Sequence, residues 1–101
     1  MNNWEWGGYP AHFCCASECR WWLCTRVGKY VISSIGHYLV NNKITSLDSY
    51  PDHFYETMVF KHCDNDWKFA IEPQEIEGKR WKNVEDAEEG HIEFCRKYDV
   101  K

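Results

Sequence analysis

The segment around Gly28-Lys29 constrains the fold most strongly. The runs on either side of it, 20–27 and 30–35, are rich in β-branched and aromatic residues, which favour strands. Glycine at the first position of a two-residue loop suits a type II′ turn, which joins antiparallel strands. The sequence therefore predicts a β-hairpin over 20–40, with Gly36 as a bulge or a point of close approach to the backbone.

Two further strands are predicted within residues 55–72. The first covers 55–61, and the second covers 67–71 and ends before Pro73. Residues 74–82 are polar and could hold a short strand around Ile76. Residues 1–19 contain Gly and Pro together with several aromatic rings, so they are predicted to form an irregular N-terminal arm with a short strand near Phe13.

The last element is predicted to be a helix over 83–98. Asn83 is a favourable N-cap, and acidic residues follow it while basic residues occupy the last turn, as the helix dipole favours. Glycine at position 90 costs about 1 kcal/mol relative to alanine, which indicates close packing against the backbone there. The stripe predicted to face the sheet comprises Val84, Ala87, His91, Cys95 and Tyr98.

These elements predict one domain over 1–101 with an α+β fold. We expect an antiparallel sheet of about four strands, with the C-terminal helix packed on one face. An unpaired sheet edge would be covered by the N-terminal arm or by a second copy of the chain in a homodimer.

The charge and hydropathy of the chain limit the kinds of partner that it is expected to bind. The net charge of −4 opposes binding to nucleic acid and favours docking onto a basic surface. The sequence has no apolar run of about 20 residues, so no membrane-spanning helix is predicted, and no secretory signal is predicted at the N-terminus. The six cysteines are therefore expected to be reduced thiols in a cytoplasm.

His91 and Cys95 have the i, i+4 spacing with which a helix presents two metal ligands. With Cys19 and one more ligand from the first half of the chain, they could hold a structural zinc ion. The alternative, which is favoured because cysteine is among the most buried residue types, is that both face the core. The other ligand candidates in the first half are His12, Cys14, Cys15 and Cys24.

Signals for catalysis are weak. His62 and Cys63 are neighbours on a strand and would point to opposite faces, and the acidic residues that precede Cys95 would raise the pKa of its thiol. Buried, unreactive thiols are the expected outcome, and the sequence predicts a protein that is not an enzyme.

An aromatic patch is the best candidate for partner binding. Aromatic residues make 17% of the chain, too many for so small an interior, so some rings should stay at the surface. Exposed tryptophan beside basic side chains is typical of protein interfaces and of base-stacking pockets; the alternative is that the arm buries these rings against the sheet. The candidates are Trp4, Trp6, Tyr9, Arg20, Trp21, Trp22 and Arg26.

Several segments resemble a family of small uncharacterised bacteriophage proteins. They include Trp4-Glu5-Trp6, the run from Tyr55 to Phe60, and the closing Gly-His-x3-Cys-x-Lys-Tyr pattern that starts at Gly90. The resemblance implies a protein made in the cytoplasm of an infected bacterial host, and it implies no mechanism.

That setting favours an anti-defence role, since small acidic phage proteins often bind and block host factors. The expected partner is a host immune protein, such as a CRISPR effector with a basic nucleic-acid channel, or a small nucleotide signal that the protein sequesters. The alternative is a small zinc-stabilised protein-interaction module of the phage cycle.

Overall fold

The computed structural model describes residues 4–11, 18–47, 53–63 and 67–99. This part of the chain forms a six-stranded antiparallel sheet and one helix. The strands follow the order β1-β2-β3-β5-β6, and β4 pairs with the distal end of β3. The elements are β1 (Glu5–Trp6), β2 (Cys19–Val27), β3 (Tyr30–Val40), β4 (Lys43–Thr45), β5 (Tyr55–His62), β6 (Ile71–Trp81) and α1 (Val84–Tyr98).

The predicted hairpin is present as β2 and β3, joined at Gly28-Lys29. Gly28 has φ +59°, the conformation that a type II′ turn requires at its first central position. Gly36 lies where the backbone is approached closely, because a Cβ there would be 2.1 Å from Cδ1 of Tyr55. Both sequence interpretations of these glycines are confirmed.

The expected strand count of about four was wrong, because the described residues contain six strands. Two of the additional strands, β1 and β4, have only two and three residues. The strand expected over 67–71 lies instead at 71–81, after a turn in which Ala70 N–H donates to Trp67 O at 3.2 Å. The polar sequence of β6 indicated at most a short strand around Ile76. An edge strand tolerates charges and Pro73, because among the described residues one side of β6 has no partner strand.

The C-terminal helix packs on one face of the sheet, as predicted. Asn83 caps it, since its Oδ1 accepts from Asp86 N–H at 2.8 Å. The core between helix and sheet contains Val27, Ile32, Val59, Phe94 and Cys95. Within the described residues, no helix has the length and apolar character needed to cross a bilayer.

The other face of the sheet is partly covered by the N-terminal arm and the segment that precedes β6. Gly7 N–H donates to Cys24 O at 2.8 Å, and Ala11 N–H donates to Oγ of the buried Ser33 at 2.9 Å. The Phe69 ring lies against Gly7. The strand expected near Phe13 lies outside the described residues.

Candidate functional site

A buried chain of polar side chains joins the helix to three strands. His91 is fully buried, with Nε2 2.8 Å from Thr25 Oγ1 and Nδ1 2.7 Å from Ser34 Oγ. Ser34 Oγ is in turn 2.5 Å from Thr57 Oγ1, which accepts from Trp81 Nε1 at 3.0 Å. Strand alternation places the hydroxyl-bearing residues on the helix-facing side of β2, β3 and β5.

One proton order gives every hydroxyl in this chain a partner. The Trp81 indole can only donate, so Thr57 accepts from it and donates to Ser34. Ser34 then donates to Nδ1 of His91, whose Nε2–H donates to Thr25. The Thr25 hydroxyl reaches the Cys95 thiol. In the opposite order, Ser34 would donate to Thr57, and the hydroxyl proton of Thr57 would have no acceptor among these side chains.

The imidazole and the thiol in this chain are held neutral. Burial lowers the pKa of His91 to about 4 and raises the pKa of Cys95 to about 11. A Cys/His nucleophile needs a thiolate with a nearby imidazole. In this structure, Thr25 bridges the two side chains, and the ionised form of each is disfavoured. The cluster therefore serves to join the helix to the sheet.

Cys19 lies far from the other two predicted metal ligands. It is six residues from Thr25 along β2, or about 20 Å at the rise of a strand, whereas His91 contacts Thr25 itself. In the four described ranges, no three His, Cys, Asp or Glu side chains are grouped to hold a metal ion. The other candidates His12, Cys14 and Cys15 lie outside those ranges. A zinc content below about a tenth of an equivalent in purified protein would rule out the zinc-stabilised module.

The four described cysteines are all free thiols, and we expect them to differ in their reactivity towards an alkylating agent. Cys19, Cys24 and Cys95 are at most 2% exposed, and burial raises the pKa of Cys24 to about 12. We expect Cys63, which is half-buried, to be alkylated in the native protein while these three are protected. Mass spectrometry after a mild alkylating agent measures this, with denatured protein as the control. Rapid native labelling of Cys95 would contradict the packing described here.

The structure separates the aromatic and basic residues that were predicted to form one patch. Trp21 and Trp22 are consecutive in β2 and face opposite sides of the sheet; Trp21 packs edge-on against Tyr55, at 5.3 Å between ring centroids. Trp4 packs against the core and donates from Nε1 to Asp99 at 3.1 Å.

The remaining candidates are also dispersed. Trp6, which is 51% exposed, stacks over His91 at 5.6 Å, and Tyr9 is 73% exposed. Arg20 and Arg26 donate to the backbone oxygens of Cys19 and Gly28. Trp6 is thus the outer cover of the buried histidine.

The acidic residues of the chain are concentrated in 71–93, which spans β6 and the first part of α1, and the basic Arg96 and Lys97 follow in the last turn of the helix. Residues 71–93 carry eight of the sixteen acidic residues and three of the twelve basic residues, a net charge of −5, while the rest of the chain carries +1. Seven of these eight carboxylates are exposed, and the eighth is half-buried. We call this surface the acidic face; its carboxylates belong to Glu72, Glu75, Glu77, Glu85, Asp86, Glu88, Glu89 and Glu93.

A groove of about 480 Å³ runs between α1 and β6 within the acidic face. The helix contributes one wall and alternate residues of β6 contribute the other. From the sequence, the acidic residues of 85–89 were interpreted as favourable to the helix dipole and as raising the pKa of Cys95, and not as the wall of a groove. The i, i+3, i+7 spacing of Asp86, Glu89 and Glu93 was the available signal for a shared wall. Comparison with known proteins finds no matching family model, curated protein or solved structure.

Proposed function

We propose that this chain is a phage accessory protein that counters a host defence system. It does so by docking its acidic face onto the basic, nucleic-acid-binding surface of a host immune protein, such as a CRISPR effector. The phage setting comes from the sequence resemblance, and the mode of action comes from the surface.

The concentration of negative charge in β6 and the first part of α1 supports this proposal. Residues 71–93 carry a net charge of −5, although the total charge of the chain is only −4. Such a face attracts a basic channel at long range and occupies it in place of phosphates. The same charge repels nucleic acid, so the protein competes with the nucleic acid rather than binding it.

The test uses two variants that change net charge equally. Glu88→Gln with Glu89→Gln adds two units of charge on the acidic face. Val40→Lys with Ile44→Lys adds two units at the β3–β4 hairpin, where both side chains are exposed. Each tagged protein is used to capture proteins from lysate of a susceptible bacterium. We expect the wild type and the hairpin variant to retain a nucleic-acid-binding immune protein, and the acidic-face variant to lose most of it.

Three results would contradict the proposal. One is retention that is unaffected by the acidic-face variant, and another is loss of binding caused by the hairpin variant. The third is a captured protein that has no nucleic-acid-binding activity. Capture should also weaken steeply as salt is raised, because exposed charges are screened within about 8–10 Å at physiological ionic strength.

Sequestration of a nucleotide signal is the other anti-defence route predicted from the sequence. Arg26 and Lys29 at the first hairpin could receive an anionic ligand, although the Arg26 guanidinium is directed at Gly28 O at 3.2 Å. Melting curves with a panel of cyclic nucleotides separate the two routes. Docking predicts flat curves, and a raised melting temperature with any member would favour sequestration.

A further inference from the structure

The groove between α1 and β6 has an aromatic floor at a fixed position. Trp81 is held by its hydrogen bond to Thr57, and its indole lies directly against Gly90. A Cβ at position 90 would be 2.1 Å from Cζ2 of this ring, so glycine allows the indole to lie flush with the helix. Phe94, which is 8% exposed, extends the floor.

Four carboxylates and two ammonium groups line the groove. The Glu77 carboxylate is already engaged, because it accepts from Lys97 Nζ at 2.7 Å, so the acidic groups open to a partner are those of the helix. On the helix, Asp86, Glu89 and Glu93 lie along one side, spaced by three and four residues. Glu89 makes no hydrogen bond or ion pair within the described part of the chain. Glu93 pairs with Arg96 at 3.0 Å, but both side chains are about two-thirds exposed or more, so this pair is weak and exchangeable.

A cation from the protein itself already occupies the floor. The Lys79 Nζ atom lies 4.9 Å from the centroid of the Trp81 ring, within the range of a cation–π contact. The side chain that makes this contact is on the exposed edge strand, so it can be displaced. The groove therefore suits a cationic group that is flat or compact. It would stack on the ring face in place of the Lys79 ammonium and contact the adjacent carboxylates.

We propose that this groove receives an arginine side chain from a basic segment of the protein partner. This inference rests on the proposed function and names the group that is recognised. The guanidinium stacks on Trp81 in place of Lys79 and donates to the carboxylates of Asp86 and Glu89. Arginine suits the site better than lysine because its planar head stacks on an indole and donates to carboxylates in a bidentate manner.

The test measures binding of a short fluorescent peptide in which arginine alternates with glycine and serine. The variants are Glu89→Lys, in the groove wall, and Glu88→Lys, the same charge change on the neighbouring residue outside the groove. We expect Glu89→Lys to weaken binding about tenfold more than Glu88→Lys does, because Glu89, unlike Glu88, lies where it would accept a charge-assisted hydrogen bond from the guanidinium. Lys79→Met should strengthen binding, because it removes the competing cation.

Two further measurements identify the recognised group. Replacing arginine by citrulline, its neutral analogue, should abolish binding, and the Trp81 indole N–H resonance should shift on titration with the arginine peptide. Equal effects of Glu88→Lys and Glu89→Lys, or an unmoved Trp81 resonance, would overturn the groove. If the groove fails these measurements but the wild type still captures a nucleic-acid-binding protein, the acidic face remains the proposed docking surface. If the wild type captures no such protein, the proposed function itself is wrong.

Discussion

Acidification from pH 6.5 to pH 4 should remove about 3 kcal/mol from the free energy of unfolding through His91 alone. Burial lowers the pKa of His91 from 6.5 to about 4, so in this interval the unfolded chain binds a proton that the folded chain excludes. The contribution is fully present above pH 6.5 and is lost as the pH falls towards 4. The partners that face the ring are Trp6, Thr25 and Ser34, none of which carries a compensating negative charge.

Urea unfolding at a series of pH values measures this dependence, and His91→Gln is the control. The variant should be less stable throughout, because Ser34 loses its partner, but its stability should be nearly flat between pH 6.5 and pH 5. The lowered pKa values of Glu5 and Glu77, each caused first by a hydrogen bond from a lysine, affect stability mainly below pH 4.5. Because wild type and variant share these carboxylates, the difference between their curves down to pH 4 reports His91. A wild-type curve that matches the variant in slope would refute the buried, neutral histidine.

Replacing Gly90 with alanine should destabilise the protein by about 1–3 kcal/mol, although alanine is the better helix former by about 1 kcal/mol. The added Cβ would lie 2.1–2.8 Å from three atoms of the Trp81 indole, a separation that real contacts do not reach. The indole is also held by Thr57, so it cannot withdraw without losing that hydrogen bond. Packing therefore outweighs helix propensity at this position.

A double-mutant cycle with Trp81→Phe tests the cause of that effect. Phenylalanine lacks the part of the indole that meets position 90, so Gly90→Ala should be neutral or stabilising in that background. Thermal unfolding of the four proteins gives the coupling. Equal destabilisation in both backgrounds would mean that the clash with Trp81 is not the reason for glycine.

Local sequence signals predicted the elements that depend on a few neighbouring residues. Asn83 as a cap, Gly28 in the hairpin turn and Gly90 as a close-packing point all act through contacts or conformations close to their own elements. The α+β fold class was predicted from these elements, because the hairpin and the helix each have one apolar face to bury.

Features that depend on residues distant in sequence were predicted only in part, such as the short strand around Ile76, or not at all. β6 has a polar sequence and is a strand only because β5 offers a partner along its length. The helical stripe indicated correctly that His91 faces the core, but its hydroxyl partners lie 57 and 66 residues away. Strand alternation predicted that Trp21 and Trp22 face opposite sides of the sheet, but the packing of Trp4 against Asp99 and of Trp6 over His91 depends on residues far away in the sequence.

Competition for a nucleic-acid channel would show whether the acidic face docks where we propose. The host immune protein captured through the acidic face is purified, loaded with a fluorescent nucleic acid and titrated with this chain, and fluorescence anisotropy reports displacement. We expect full displacement by the wild type and by the hairpin variant, and much weaker displacement by Glu88→Gln with Glu89→Gln. A stable ternary complex, with the nucleic acid retained at saturating protein, would contradict docking of the acidic face into that channel.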